Sequence, residues 1–264
     1  MTTTHERLET GYEPETPPYD SVLRQFLLNQ SRMNEIIADR PGGRSEQHDD
    51  VSLADAGTVV PFLNQAVLLR PVLDPSDEML DRVEKFFTGG STATLLSAWP
   101  TPDLSSRGWT LMGHPMFVVG AAATGASRPG VRVEPVQTAE QLAIVERVAV
   151  EGYPLPEASG APAGSLLPES LLHSEAHLRL GFLDDEPVAV GMALPAFGVV
   201  NLALAATLPA ARRRGVWSAI VRARWALAPD LPAVAFTSDY SRPGFVAMGF
   251  LPMTRFTLWL RQPA

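Results

Sequence analysis

Residues 199–220, VVNLALAATLPAARRRGVWSAI, constrain this chain more than any other stretch: an apolar run breaks at Pro209, passes three arginines and a glycine, and enters a helical pattern. The run is hydrophobic on both faces, which suits a strand inside a covered sheet, and Asn201 interrupts it where a bulge or a polar contact is needed. The first amides of the following helix have no partner within that helix, and its dipole is positive at that end. Gly215 lets the backbone come close, and Arg212, Arg213 and Arg214 add charge. The turn therefore reads as a cradle in which main-chain N–H groups hold a phosphate or diphosphate. Nucleotides and coenzyme A both answer that description.

Two common phosphate loops are excluded, because the chain has no G-x-x-x-x-G-K-[ST] and no G-x-G-x-x-G between a strand and a helix. What remains is R-x-x-G-x-[GA], with Arg212, Gly215 and Trp217 at its three fixed places. Taken alone, RRRG is equally a charged, solvated turn. With strand, Leu208-Pro209 and helix around it, the stretch resembles motif A of the GNAT superfamily of N-acetyltransferases. Trp217 departs from the Gly or Ala that the family usually carries there. A second resemblance is SDYSRPGFVAMGF at 238–250, since the family closes with a Ser or Asn, a short helix often bearing Tyr, and Gly-Phe before the final hairpin.

Composition narrows the partners. A net charge of −8 and a single lysine, Lys85, argue against nucleic acid or an anionic membrane. The absence of cysteine excludes disulfides and thiolate metal sites. No apolar run approaches a membrane span and the polar, acidic start has no leader pattern, so a cytoplasmic protein is expected.

The 264 residues allow two domains. The expected division is a disordered or surface-draped tail at 1–19, a reduced GNAT-like half at 20–128 and a GNAT N-acetyltransferase domain at 129–264, with a flexible join at 121–130. In the first half, periodicity predicts a helix over 21–39, a polar connector, and strands at 58–62 and 66–69. A helix opened by Pro75-Ser76-Asp77, a strand at 93–99, a helical turn at 103–106 and one strand from Gly108-Trp109 through Val119 complete it. In the second, strands are predicted at 131–135, 177–183, 187–196, 199–206, 233–237 and 255–260. Helices are predicted at 139–151, capped by Thr138, and at 168–174, 217–227 and 241–248. Asp184-Asp185-Glu186 reads as a hairpin tip. The resemblance implies an α/β (α+β) GNAT fold: a mixed, mostly antiparallel twisted sheet flanked by helices, preceded by the smaller half, which has no R-x-x-G turn.

The resemblance also implies chemistry. Acetyl-CoA would wedge between two splayed parallel strands, its pantetheine arm along the strand edge ending Ala205-Ala206-Thr207. Its pyrophosphate would lie on the turn formed by Arg212, Arg213, Arg214, Gly215, Val216, Trp217 and Ser218, with one coenzyme per chain. An amine, on a small molecule or a peptide, would attack the thioester directly while a base takes its proton and a donor protonates the leaving thiolate. Phe245 stands at the place of the family's Tyr and has no proton to give. Tyr240, or water, is the substitute. Glu175 and Asp239 are the candidate bases, though Asp239 reads more readily as a turn or helix cap before Ser241. Tyr153 and Glu157 are candidate recognition groups. His173, Glu175 and His177 span a predicted helix-to-strand boundary without a further ligand, so no metal is expected. Neither nucleic acid nor membrane is an expected partner, and a homodimer is compatible with the sequence. The alternative is a non-catalytic GNAT-fold module that binds acyl-CoA or regulates.

Overall fold

In the computed structural model, the described residues are 21–89, 91–121, 128–153 and 155–262. The expected tail at 1–19 and most of the expected join lie outside them. Helix α1 (Val22–Ala38) starts at Ser21, whose hydroxyl accepts the Arg24 amide at 3.1 Å and replaces a bond that the helix cannot make at its own end.

The 44–57 region, expected as a connector, is a hairpin of β1 (Arg44–Gln47) and β2 (Val51–Asp55). Strand β1 is exposed along its whole length, so it carries no apolar alternation to betray it. The strand expected at 58–62 is instead a bend leading into a 3-10 turn, Pro61–Leu63. Val60 and Leu63 still fill the core, but Pro61 has no N–H to give a ladder. Then come β3 (Asn64–Leu68), α2 (Glu78–Phe86) and β4 (Ala93–Ser97), with β3 and β4 parallel.

The second half runs close to its sequence reading. Strand β7 (Val131–Pro135) leads to α3 (Ala139–Gly152), whose start is a capping box: Thr138 accepts the Gln141 amide while the Gln141 side chain accepts the Thr138 amide. Strands β8 (His177–Leu183) and β9 (Glu186–Ala196) meet at a two-residue turn in which Asp184 and Asp185 both have positive φ. Strand β10 (Val199–Thr207), helix α4 (Val216–Trp225) and strand β11 (Ala233–Thr237) complete a crossover unit.

Sequence reading fails again at the two ends of the halves. The single strand expected from 108 through 119 is two, β5 (Thr110–Gly113) and β6 (Met116–Gly120). After α5 (Arg242–Ala247), the strand expected at 255–260 is β13 (Thr257–Arg261), and an unexpected strand, β12 (Leu251–Arg255), precedes it. One sheet has the order β1-β2-β3-β4-β13-β5 and the other β12-β6-β11-β10-β9-β8-β7. Each half thus gives one strand to the other's sheet: β6 lies between β12 and β11, and β13 between β4 and β5.

The crossings are locked together. The Phe256 amide donates to the Pro115 carbonyl at 2.9 Å. Phe26 of α1 packs on Phe117 and Phe256 with ring centres 5.1 and 5.5 Å apart. Helix α1 also crosses to the second sheet, where the Asn29 amide donates to the carbonyls of Leu194 and Ala196, both at 2.9 Å.

Candidate active site: a splayed strand pair beside an arginine turn

Strands β10 and β11 pair at Val200 with Ala233 and at Asn201 with Val234, then part. On its other side β10 loses register with β9 between Ala203 and Ala206, and Leu204 takes a positive φ of 44°. The bulge is therefore at Leu204-Ala205. Asn201 makes a polar contact, donating to Gln30 Oε1 at 3.0 Å. Parting and bulge together open a cavity of about 450 Å³, lined on the β10 side by Leu202 through Ala206. Ala205 and Ala206 face it, whereas Thr207 is buried just beyond, its hydroxyl without a partner among the described residues.

A buried arginine supports the bulge. Arg224 Nη1 donates to the carbonyls of Met192 and Ala203, both at 2.9 Å, and Nε to the Ile220 carbonyl at 3.3 Å. Its guanidinium lies over Gly191, where a Cβ would come within 2.8 Å of it. Arg224 is fully buried, and desolvation pulls its pKa down to about 9, so it remains a cation at neutral pH. Ala203 and Met192 are the last regular pair before the bulge, and the guanidinium gives each of their carbonyls a donor.

Beyond β10 lies the arginine turn. Arg213 and Gly215 both have positive φ, 62° and 92°, and Gly215 is the N-cap of α4. Among the described residues no side chain caps that helix, and no acidic residue sits in its first turn. Among the described residues, the amides of 213–218 meet no backbone acceptor, the first such bond running from Ala219 to Gly215. The arginines divide their tasks. Arg212 donates to the carbonyls of Thr207 and Gly152 at 3.2 and 2.8 Å, fastening the end of β10 to the end of α3. Arg214 pairs with Asp184 at 3.2 Å. Arg213 is exposed and has no polar partner among the described residues. Arg128, which the sequence reading overlooked, covers Gly215, where a Cβ would lie 2.6 Å from its Cδ. Ser218 is turned inward, its hydroxyl donating to the Gly215 carbonyl at 2.9 Å, and Val216 is wholly buried.

Trp217 does not pack outward. Its indole lies on Gly244 and meets Phe245 edge to face, 4.9 Å between ring centres, and both rings line the cavity. A large residue on α4 is thus met by the smallest on α5.

The proposed proton-transfer groups are scattered. Glu175 pairs with Arg32 of α1 at 2.6 Å and does not line the cavity. Tyr240 is fully exposed and is not among the lining residues. Asp239 lines the mouth, but a hydrogen bond from Arg255 at 3.0 Å, with Arg242 at 3.7 Å, holds its carboxylate below the usual range. It is correspondingly weak as a base. Tyr153 lines the cavity edge-on to Phe62, its hydroxyl pushed upward by burial first and by Glu157 second; Glu157 itself does not line it.

The strand crossing brings in a group that the sequence reading missed. His114, in the turn between β5 and β6, lines the cavity. Its Nδ1 lies 3.2 Å from the Phe256 carbonyl, which can only accept, so in the neutral ring Nδ1 carries the proton and Nε2 is the basic atom. Its carbonyl accepts from Arg255 at 2.6 Å, linking the turn to Asp239. No local signal marks a lone Gly-His-Pro. Among the described residues, no group of three or more His, Cys, Asp or Glu is arranged to hold a metal, and no helix is long and apolar enough to cross a membrane.

No family model matches the sequence, and no curated protein matches it. Solved structures do match. A GCN5-related N-acetyltransferase from Kribbella flavida aligns over 92% of this chain and 96% of its own, with 19% identity and a TM-score of 0.62. A functionally unknown conserved protein from Staphylococcus epidermidis ATCC 12228 aligns over 88% and 98%, with 9% identity and a TM-score of 0.65. A protein of Novosphingobium aromaticivorans DSM 12444, named for the GNAT family, aligns over 90% and 99%, with 13% identity and a TM-score of 0.56. At such identities the likeness is one of fold, and this chain has the mixed α/β GNAT fold, in two GNAT-like halves.

Proposed function

We propose that the chain is an acetyl-CoA-dependent N-acetyltransferase acting on a primary amine of a small molecule or peptide, in the cytoplasm. The observation that carries this reading is the parting of β10 and β11 beside a helix start whose amides meet no backbone acceptor. A thioester arm can hydrogen-bond the open edge at Ala205 and Ala206. The pyrophosphate fits the amides of 213–218, with Arg213 and Arg128 supplying charge. When bound, acetyl-CoA supplies an activated acyl group on a thiolate leaving group.

The residues of this chain then have two tasks. They hold the amine near the bulge, and they accept its proton. We assign the second to His114 Nε2, because Glu175 is outside the cavity and Asp239 is held in an ion pair. The leaving thiolate takes its proton from water, since Phe245 has none to give and Tyr240 points to solvent. In sequence we take 20–128 and 129–264 as the two units, exchanging one strand each.

Calorimetric titration with acetyl-CoA, followed by thiol release against an amine panel, tests the proposal. Saturation at one equivalent per chain and amine-dependent thiol release are expected. His114→Gln is expected to lower kcat on the order of 10²-fold or more with little change in coenzyme affinity. A second reading, a non-catalytic acyl-CoA-binding or regulatory module, draws on the Trp217–Phe245 pair, which occupies the α4 side of the cavity. Tight acetyl-CoA binding with no transfer to any amine would favour it.

A further inference from the structure

The cavity has two unlike sides. One is the α4 and α5 side, where Trp217 and Phe245 stand near the arginine turn. The other is made by the first half: α1 presents Gln30, Met33, Asn34 and Ile37, spaced to fall on one face, together with Phe62. If the coenzyme enters from the turn, the acceptor meets this second side. The inference rests on the proposed acetyl transfer.

That side carries no charge. Among the described residues lining the cavity there is no lysine, arginine or glutamate, and the one aspartate, Asp239, belongs to the mouth and is paired with Arg255. Besides His114, the proposed base, the polar groups that α1 gives this side are amides held in a fixed array. Gln30 Nε2 donates to Asn34 Oδ1 at 3.0 Å and to Gln65 Oε1 at 3.2 Å, using both of its hydrogens. Asn34 Nδ2 donates to Gln65 Oε1 at 3.1 Å, and Gln65 Nε2 to Thr94 Oγ1 at 3.1 Å. Asn201 fixes the Gln30 oxygen from β10. All five side chains are buried. Only one of the two Asn34 amide hydrogens has an acceptor among the described residues. Gln65 and Asn201 also use one hydrogen each, but of the array only Gln30 and Asn34 line the cavity, so the spare N–H available to it is that of Asn34, on a side chain held by its neighbours.

We propose that the acceptor is a small, largely apolar primary amine carrying one uncharged oxygen acceptor, such as a carbonyl or hydroxyl, which the spare Asn34 N–H meets. Met33, Ile37 and Phe62 contact its apolar body. Amines with several positive charges are disfavoured, because each further ammonium would lose its water without gaining a carboxylate. The first half is thus the specificity wall for chemistry performed in the second. An amine without the oxygen leaves a buried N–H unpaired and is discriminated against, by about tenfold on the scale of one buried hydrogen bond.

The test uses the full chain and three probes: N-(2-aminoethyl)benzamide, 2-phenylethylamine and spermidine. Each is titrated by calorimetry into the complex with coenzyme A, and each is assayed for thiol release from acetyl-CoA. The expected order of affinity and of kcat/KM is benzamide, then phenylethylamine by about tenfold, then spermidine. Asn34→Leu is expected to bring the first two within threefold of each other, with acetyl-CoA affinity measured on the same sample to show an intact fold. Spermidine binding as tightly as the benzamide in the wild-type protein overturns the inference without any variant. An undiminished gap in folded Asn34→Leu also overturns it. Failure of acetyl-CoA to bind, or of every amine to release thiol, overturns instead the acetyl-transfer reading, while the order of binding still judges the wall.

Discussion

The units β3–α2–β4 and β10–α4–β11 have the same architecture, two parallel strands joined through a helix, and opposite chemistry at the helix start. Helix α2 begins at Asp77, whose carboxylate accepts the Met79 amide at 3.0 Å and takes a two-pronged hydrogen bond from Arg70 at 2.7 and 2.8 Å. Glu78 and Asp81 add negative charge in its first turn. Helix α4 begins at Gly215 with no side-chain cap and no acid. The first helix start is capped by its own side chain, and the second leaves its amides open for the pyrophosphate proposed above. The strands differ in the same sense: β3 keeps its register with both neighbours, whereas β10 keeps two pairs with β11 and bulges against β9. The repeated unit thus leaves capping and ladder both incomplete only in its second copy.

The largest expected way to break that contrast is Gly215→Asp, which makes the second helix start like the first. The side chain would enter a backbone with φ of 92°, collide with Arg128 and place a negative charge among amides that otherwise meet an anion. Acetyl-CoA affinity should fall on the order of 100-fold by calorimetry. An unchanged affinity would reject the turn as the pyrophosphate site.

Arg224→Met tests the incomplete ladder. Removing the guanidinium takes a charged donor from the Met192 and Ala203 carbonyls, about 1.5–3 kcal/mol for each bond lost, partly offset because a buried charge is also removed. A net loss of about 2 kcal/mol in urea unfolding is expected, with kcat reduced more than coenzyme affinity, since the bulge lies under the reacting end rather than under the phosphates. Equal loss at both would place Arg224 in general stability alone.

The smallest effect sharpens the first unit. Asp77→Ala should cost about 1 kcal/mol of stability at pH 7, as loss of an N-cap does. The Asp77 pKa is lowered to about 2, chiefly by the hydrogen bond from Arg70, against an unfolded value near 4. Its contribution is therefore complete above about pH 4 and fades as pH falls through about 2. The gap between wild type and variant in urea midpoint should close over that window. A gap undiminished at pH 2 would show that the ion pair and cap are not its source. Coenzyme stoichiometry should stay at one in this variant, because removing an acid does not create the missing glycine turn.

Legibility followed range. The Thr138 box, the Asp77 cap, the Asp184-Asp185 turn and Gly215 depend on residues within one turn of each other, and the sequence carries them directly. Strand β1 was invisible because an edge strand with every residue exposed needs no apolar alternation. The 58–62 run misled because Val60 and Leu63 are as buried in a 3-10 turn as they would be in a strand. Glu175 and Tyr240 drew attention by residue type, and type does not reveal that Arg32 engages one and solvent surrounds the other.

By itself the sequence determined an arginine-glycine turn at a helix start, a strand suited to burial and the α/β alternation of the elements, because caps, turns and periodicity are local properties of the backbone. Tertiary structure alone decided that β6 and β13 change sheets, that this crossing brings His114 to the cavity, and that α1 lays Gln30 and Asn34 along its far side. Strand pairing is settled by competition among edges distant in the chain, here between sheets joined by Phe26, Phe117 and Phe256, and no pattern within either strand records which edge it meets.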